Sequence, residues 1–505
     1  MIVHVNTFGL CGINGYFVDA EINLTKGLPY FDIIGMGNIA VKEAAGRIKP
    51  AIENLGYDFP LGRITVNLAP ASVKKEGAHF DLAIAMGILK CAGIAKGEID
   101  KFAFIGEMSL DGFLRPVKGI LPMIKASARK GIYKCVVPLE NADEASLVKK
   151  CKIYPAASLD EVIHITEFQR NHWNVYDIKN GSQTQYGDFS DILGQSQAIR
   201  AAEIAAAGGH NILFIGAAGS GKTMLANRIP SIMPELSFED SMEVTPVYSV
   251  LGMLDKERMI ISNAPFRTVY PDVTKAGLIG GGTKPMPGEI SLAHKGILFL
   301  DELAEFNRNI IQSLRQPMES GKVLISRCGD FVEFPSDFML VAASNPCRCG
   351  KLLEQNGKCT CTPIQAKQYI SKISKPILDR IDLHIPVRQV CFENSNKGEP
   401  SAEIKLRVIK AREIQKNRFK DDEISLNGRM RGKDLKKYCR ISNECDAILK
   451  SAAKAAGTSM RGYEKYIKIA RTIADLAGRT DINKDDIAES LQYRFLDYYD
   501  CEESI

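Results

Sequence analysis

The chain has 505 residues, 45% of them hydrophobic and 25% charged, with a formal net charge of +5, which is length enough for two to four compact domains. That balance excludes a disordered or fibrous chain, no apolar run approaches the ~20 residues that span a bilayer, and the opening MIVHVNTFGLCG lacks the order of a secretory signal. A cytoplasmic protein is expected, with no membrane partner, whose thirteen cysteines stay reduced and are buried or bind metal.

In chain order, residues 1–167 alternate β-rich runs such as Arg63 to Leu68 with helical patterns such as Asp81 to Leu89, predicting an α+β domain. Residues 168–187 are polar and aperiodic and predict a linker. From 188 to 395, helices and wholly apolar strands alternate in the manner of a parallel sheet, so the fold class is α/β. A break near 393–401 precedes a helical segment, 396–505, in which a helix from about Ser459 is closed by Gly478.

Inside the central segment, the strand-like Asn211 to Ile215 runs into Gly216-Ala217-Ala218-Gly219-Ser220-Gly221-Lys222-Thr223, and Met224 to Arg228 continue as a helix. Strand, glycine-rich loop and helix in that order form a P-loop, in which Gly216, Gly219, Ser220 and Gly221 curl backbone N–H groups round a β-phosphate. Lys222 is expected to reach the β/γ oxygens of ATP and Thr223 to ligate Mg²⁺. The apolar run Gly296 to Leu300 ends in Asp301-Glu302, and two carboxylates at such a strand tip fit a Walker-B pair. Asp301 would hold Mg²⁺ through water and Glu302 would orient the attacking water. A third strand-like run, Phe338 to Ala343, delivers Asn345 as a candidate γ-phosphate sensor, although Asn-Pro also starts ordinary turns.

Just before that run, Lys322 to Arg327 and Phe331 to Phe334 flank a turn at Cys328-Gly329-Asp330 and predict a hairpin. Its cations Lys322 and Arg327 are candidates for phosphate contacts with DNA or are simply solvated charges. Cys347, Cys349, Cys359 and Cys361 fall within fifteen residues as two CxC pairs nine residues apart. Four soft thiolates suit a closed structural Zn²⁺ site; reduced, partly buried thiols or a redox pair are the alternatives.

Asp191 to Gln195, GGHNILFIGAAGSGKTMLANRIPSIMP, PGEISLAHKGILFLDELAEF and Pro376 to Leu383 resemble the Mg-chelatase-like AAA+ ATPases of the ComM/YifB group over nearly the whole chain. The resemblance implies a homo-hexameric ring with an AAA+ core, a Lon-protease-like (ribosomal S5 domain 2-like) N-terminal domain and a helical C-terminal lid. It also implies a helicase or branch-migration motor acting on single-stranded or branched DNA. In its terms Arg380 matches the arginine finger offered to a neighbouring subunit, Arg461 matches sensor 2 with Arg471 as competitor, and a helix-2 insert covers roughly Val250 to Thr283. The hairpin then points into the ring. Two positions match those of the Lon catalytic dyad, but they hold His79 and Leu121, so a protease-like fold without peptidase activity is expected. Departures are Ala217-Ala218 where relatives often have prolines, and Thr268 to Asp272 in place of a histidine-containing run. A chelatase-type motor inserting Mg²⁺ into porphyrin, or a nucleotide-gated scaffold without turnover, are the alternative functions.

Overall fold

The computed structural model describes residues 2–168, 172–173, 186–254, 259–282, 285–327, 330–354, 359–389, 397–422 and 424–499. Most of the expected linker, and residues 393–396 of the expected break, lie outside them, as do Cys328 and Gly329 of the expected hairpin turn. The chain divides into two compact units, 1–182 with 241–261, and 183–240 with 262–505.

The first unit is built on a seven-stranded mixed sheet. Its strands are β1 (Ile2–Cys11), β2 (Asn14–Thr25), β3 (Tyr30–Ile34), β4 (Arg63–Ala69), β5 (Phe102–Phe104), β6 (Lys134–Pro138) and β7 (Lys152–Ala156), in the order β3-β4-β2-β1-β5-β6-β7. β2 buries Val18, Ala20 and Ile22 at every second position, as a strand with one covered face must. Helix α1 (Asp81–Cys91) is apolar all round, and nine of its residues are buried against that sheet. Helix α2 (Ile120–Lys130) packs on β1 and β2. The segment 241–261 also belongs to this unit: Lys125 Nζ donates to the carbonyl of Met242 at 2.9 Å, and Gly119 N–H to that of Ser249 at 3.1 Å. The sequence does not reveal that long-range docking, because the segment follows directly from the P-loop helix.

The second unit has a five-stranded sheet in which every pairing is parallel. The strands are β8 (Ile212–Gly216), β9 (Phe266–Val269), β10 (Ile297–Leu300), β11 (Lys322–Arg327) and β12 (Asp330–Pro335), which form a separate hairpin, then β13 (Met339–Ser344) and β14 (Leu383–Val387). The sheet order is β9-β10-β13-β8-β14. β8, β10 and β13 are buried at every position, as inner strands covered on both faces require. The stretch 250–283, expected as an insert, supplies the edge strand β9 itself. That strand reads poorly from sequence because Arg267 lies on it, neutralised by Glu289 at 2.7 Å.

The longer helices of this unit are α3 (Ser196–Gly208), α4 (Lys222–Ile232), α5 (Pro363–Ile370), α6 (Ser401–Arg418), α7 (Asn443–Ala455), α8 (Met460–Leu476) and α9 (Lys484–Leu491). In the segment 398–499, α6 packs on α3 and α4, and Arg407 pairs with Glu203 of α3 at 2.5 Å. α8 is capped by Ser459, whose hydroxyl accepts from Gly462 N–H, and is left by the chain at Gly478 in the left-handed region. Among the described residues no helix is long and apolar enough to cross a membrane.

Candidate nucleotide site

Register alone brings the expected nucleotide residues together. Ile215 of β8 pairs with Ser344 of β13, and Ala342 of β13 with Leu300 of β10. The residues that follow are the P-loop, Asn345 and Asp301, so three parallel strands release them at one edge, the carboxyl edge where open α/β sheets bind ligands.

The loop has its shape for steric reasons. A Cβ on Gly216 would lie 2.2 Å from the Val387 carbonyl oxygen, so only glycine lets β8 approach β14 there. Gly219 and Gly221 adopt φ of 77° and 93°, which a side chain would resist. Gly221 also caps α4 without a side chain, leaving the first-turn N–H groups directed at the loop.

Lys222 is buried. Its Nζ donates to the carbonyls of Gly216 at 2.8 Å and Ala217 at 2.7 Å, and to Asn345 Oδ1 at 3.2 Å. Burial lowers its pKa, against the attraction of Asp301 and Glu302. Thr223 Oγ1 donates to Asp301 Oδ2 at 3.0 Å. The hydroxyl expected to ligate Mg²⁺ and the carboxylate expected to hold the ion through water therefore stand side by side. Glu302 is exposed and sits at φ 53°, ψ 47°, a left-handed conformation, while its N–H donates to Asp301 Oδ1 at 2.9 Å. That conformation costs a residue with a side chain about 1–2 kcal/mol and turns the carboxylate out of the strand line.

The other expected residues lie elsewhere. The Arg380 guanidinium is largely covered, donating to the Pro376 carbonyl and pairing with Glu319 of its own chain. Arg461 is exposed in the first turn of α8 and has no ion-pair partner among the described residues. Its competitor Arg471 is 1% exposed and bonded to Asp475 and the carbonyls of Arg479 and Thr480. Lys322 stands at the base of the hairpin, opposite Pro335, and pairs with Glu333 at 2.8 Å, whereas Arg327 stands at the other end of β11, opposite Asp330. The sulfurs of Cys347, Cys349, Cys359 and Cys361 lie within 4.8 Å of one another. In the first unit His79 precedes α1 and Leu121 is fully buried in α2.

Two supporting residues escaped the sequence reading. Gln195 Nε2 donates to the carbonyl of Arg388 at 2.6 Å and contacts that of Ser220 at 3.5 Å, latching the P-loop to the end of β14. Asn211 bridges β13 to the segment before β14, accepting from Leu340 N–H and donating to the Arg380 carbonyl. The signal available for Asn211 was an amide set directly before a wholly apolar strand.

The chain matches family models described as magnesium chelatase, subunit ChlI, over 188–395, subunit ChlI of Mg-chelatase over 20–141, and magnesium chelatase, subunit ChlI C-terminal, over 398–494. It is 38% identical to the competence protein ComM of Haemophilus influenzae, over 96% of this chain and 95% of that protein. It is 36% identical to the YifB protein of Escherichia coli, over 98% and 97% respectively. The likeness to the magnesium-chelatase 67 kDa subunit of Heliobacterium mobile, at 27% identity, covers 31% of this chain and 27% of that one.

Proposed function

Since the chain belongs to the Mg-chelatase-like ATPase family that includes ComM and YifB, we propose that it is a Mg²⁺-dependent ATP-hydrolysing motor that assembles as a homo-hexamer and moves on DNA. The observation that carries the ATPase reading is the joint hydrogen bonding of Lys222 to Asn345 and Thr223 to Asp301, side chains of three different strand tips gathered round one glycine-rich loop.

In this reading the Lys222 ammonium leaves the Gly216 and Ala217 carbonyls for the β/γ-phosphate oxygens of ATP. Asn345, already beside it, takes the γ-phosphate side. Thr223 and Asp301 would hold Mg²⁺, which when bound draws charge from the phosphate oxygens. Glu302 orients the water and accepts its proton. Arg380 acts from the neighbouring subunit, where a guanidinium stabilises charge developing on the transferred phosphoryl group. For that it must exchange Glu319 for the neighbour's nucleotide, which makes turnover depend on assembly. Arg461, exposed and unpaired, is the lid's contribution.

DNA as substrate is supported by the hairpin, which carries Arg327 next to its turn, and by the likeness to a competence protein. Contacts there would be to phosphates, hence salt-sensitive and indifferent to sequence. The N-terminal unit binds or assembles and does not cleave peptides, because His79 and Leu121 supply neither the hydroxyl nor the amine of a Lon dyad. A chelatase-type motor is the second reading, favoured by the names of the matching family models. ATP turnover and branch migration measured for the wild type, Lys222→Ala and Arg327→Ala separate these readings. The proposal expects loss of both activities in the first variant and loss of DNA stimulation in the second. Equal activity in all three overturns it, and turnover indifferent to DNA favours the chelatase reading.

A further inference from the structure

We propose that Cys347, Cys349, Cys359 and Cys361 bind one structural Zn²⁺ that fixes the loop carrying Asn345. The sulfur positions are the first ground. Cys347 and Cys349 Sγ lie 3.4 Å apart, Cys347 and Cys359 3.8 Å, and Cys349 and Cys359 3.5 Å, with Cys361 inside the same group. Four thiolates at about 2.3 Å from a tetrahedral Zn²⁺ are about 3.8 Å from one another. The spacings are far longer than the ~2 Å of a disulfide. The four cysteines of an iron–sulfur cluster are divided among two or four irons, whereas sulfurs gathered this closely suit one ion.

The second ground is the backbone around them. Cys347 to Lys351 form a tight turn, in which Gly350 N–H donates to the Cys347 carbonyl at 3.0 Å and Gly350 takes φ of 79°. This turn folds Cys349 back beside Cys347, and the second pair brings Cys359 to within 3.5 Å of Cys349, so two chain segments converge on one small group of sulfurs. Only Cys347 of the four is buried, so apolar packing does not account for the gathering of the other three.

The place of the site gives it a consequence. Cys347 follows Asn345 by two residues, and Asn345 Oδ1 accepts from Lys222. Cys361 directly precedes Thr362, which with Gln365 forms the capping box that starts α5. A closed Zn²⁺ would therefore tie the end of β13 to the start of α5 and restrict where the Asn345 amide can stand. With no open coordination position, the ion performs no chemistry on substrate.

The test is metal content of the full chain purified without chelator. One zinc per chain is expected, falling below about 0.1 in Cys359→Ser/Cys361→Ser. Titrating the wild type with an organomercurial should release that zinc in step with mercaptide formation, a readout independent of whether the variant folds. Growth in Co²⁺ should give the intense thiolate-to-metal absorption of a tetrahedral four-sulfur site. Removal of the metal should raise hydrogen exchange in residues 343–366 and lower kcat for ATP more than it raises KM. Zinc well below one per chain, iron in its place, or four freely reactive thiols in the untreated protein would each overturn the proposal. A zinc-loaded protein without ATPase activity would leave this site standing and count only against the motor reading.

Discussion

Asn211 holds Arg380 by the backbone: its Nδ2 donates to the Arg380 carbonyl at 2.8 Å, while its Oδ1 accepts from Leu340 N–H, also at 2.8 Å. The residue just before the P-loop strand thus fixes both the sensor strand and the finger candidate. Asn211→Ala leaves a buried N–H and a carbonyl without partners, and should cost about 2–4 kcal/mol of stability. Urea unfolding checks this, and turnover should fall more than the affinity for ATP.

Glu302 gives opposite answers for stability and activity. Glu302→Gly relieves the left-handed backbone and should stabilise the chain by about 1 kcal/mol, raising its Tm, while hydrolysis is lost. Glu302→Gln keeps the conformation and should lower kcat by about 10²–10³-fold with ATP binding intact. Nucleotide-binding and steady-state assays on the two variants distinguish loss of the carboxylate from loss of the fold.

The two lid arginines separate along the same line. Arg471→Ala removes a buried guanidinium from Asp475 and two carbonyls and should destabilise by about 3–5 kcal/mol. Arg461→Ala removes no hydrogen bond or ion pair among the described residues; its Tm should match wild type while turnover falls by about tenfold or more. A melting curve and an ATPase assay for each variant suffice.

Burial pushes Lys465 down to about 7, against the pull of Asp382. Between that value and the ~10.4 of an unfolded lysine, the unfolded chain binds a proton that the folded chain does not. Stability from this group therefore rises with pH from about 7 towards 10. In Lys465→Met the increment disappears, so the Tm of wild type relative to the variant should increase between pH 7 and 9.5. A difference constant with pH would contradict the assignment.

The gathering of the candidate site residues was legible in the sequence because each part is a local pattern: an apolar strand followed by glycines and lysine, or by two acids. A parallel sheet then brings the strand tips together without further information from the side chains. The edge strand β9 was hidden because an edge tolerates Arg267 once Glu289 neutralises it. The lid charges were misleading for a related reason. Lys465 and Arg471 sit in an amphipathic helix, where a charge is expected on the solvated face, but both are buried and bonded to backbone carbonyls. Those carbonyls belong to residues 381, 479 and 480; the first lies far away in sequence, and single-residue patterns carry no trace of it. The docking of 241–261 onto the first unit is a tertiary choice of the same kind.

Cleavage of ATP between neighbouring subunits is tested most directly by mixing two inactive variants. Lys222→Ala lacks the P-loop cation but keeps Arg380, and Arg380→Ala lacks the finger but keeps the P-loop. Mixed at equal concentration under assembling conditions, they should recover roughly a quarter of wild-type turnover, the share of interfaces at which random neighbours supply one intact set. No recovery in mixed assemblies, or full activity of Arg380→Ala on its own, would contradict a shared site.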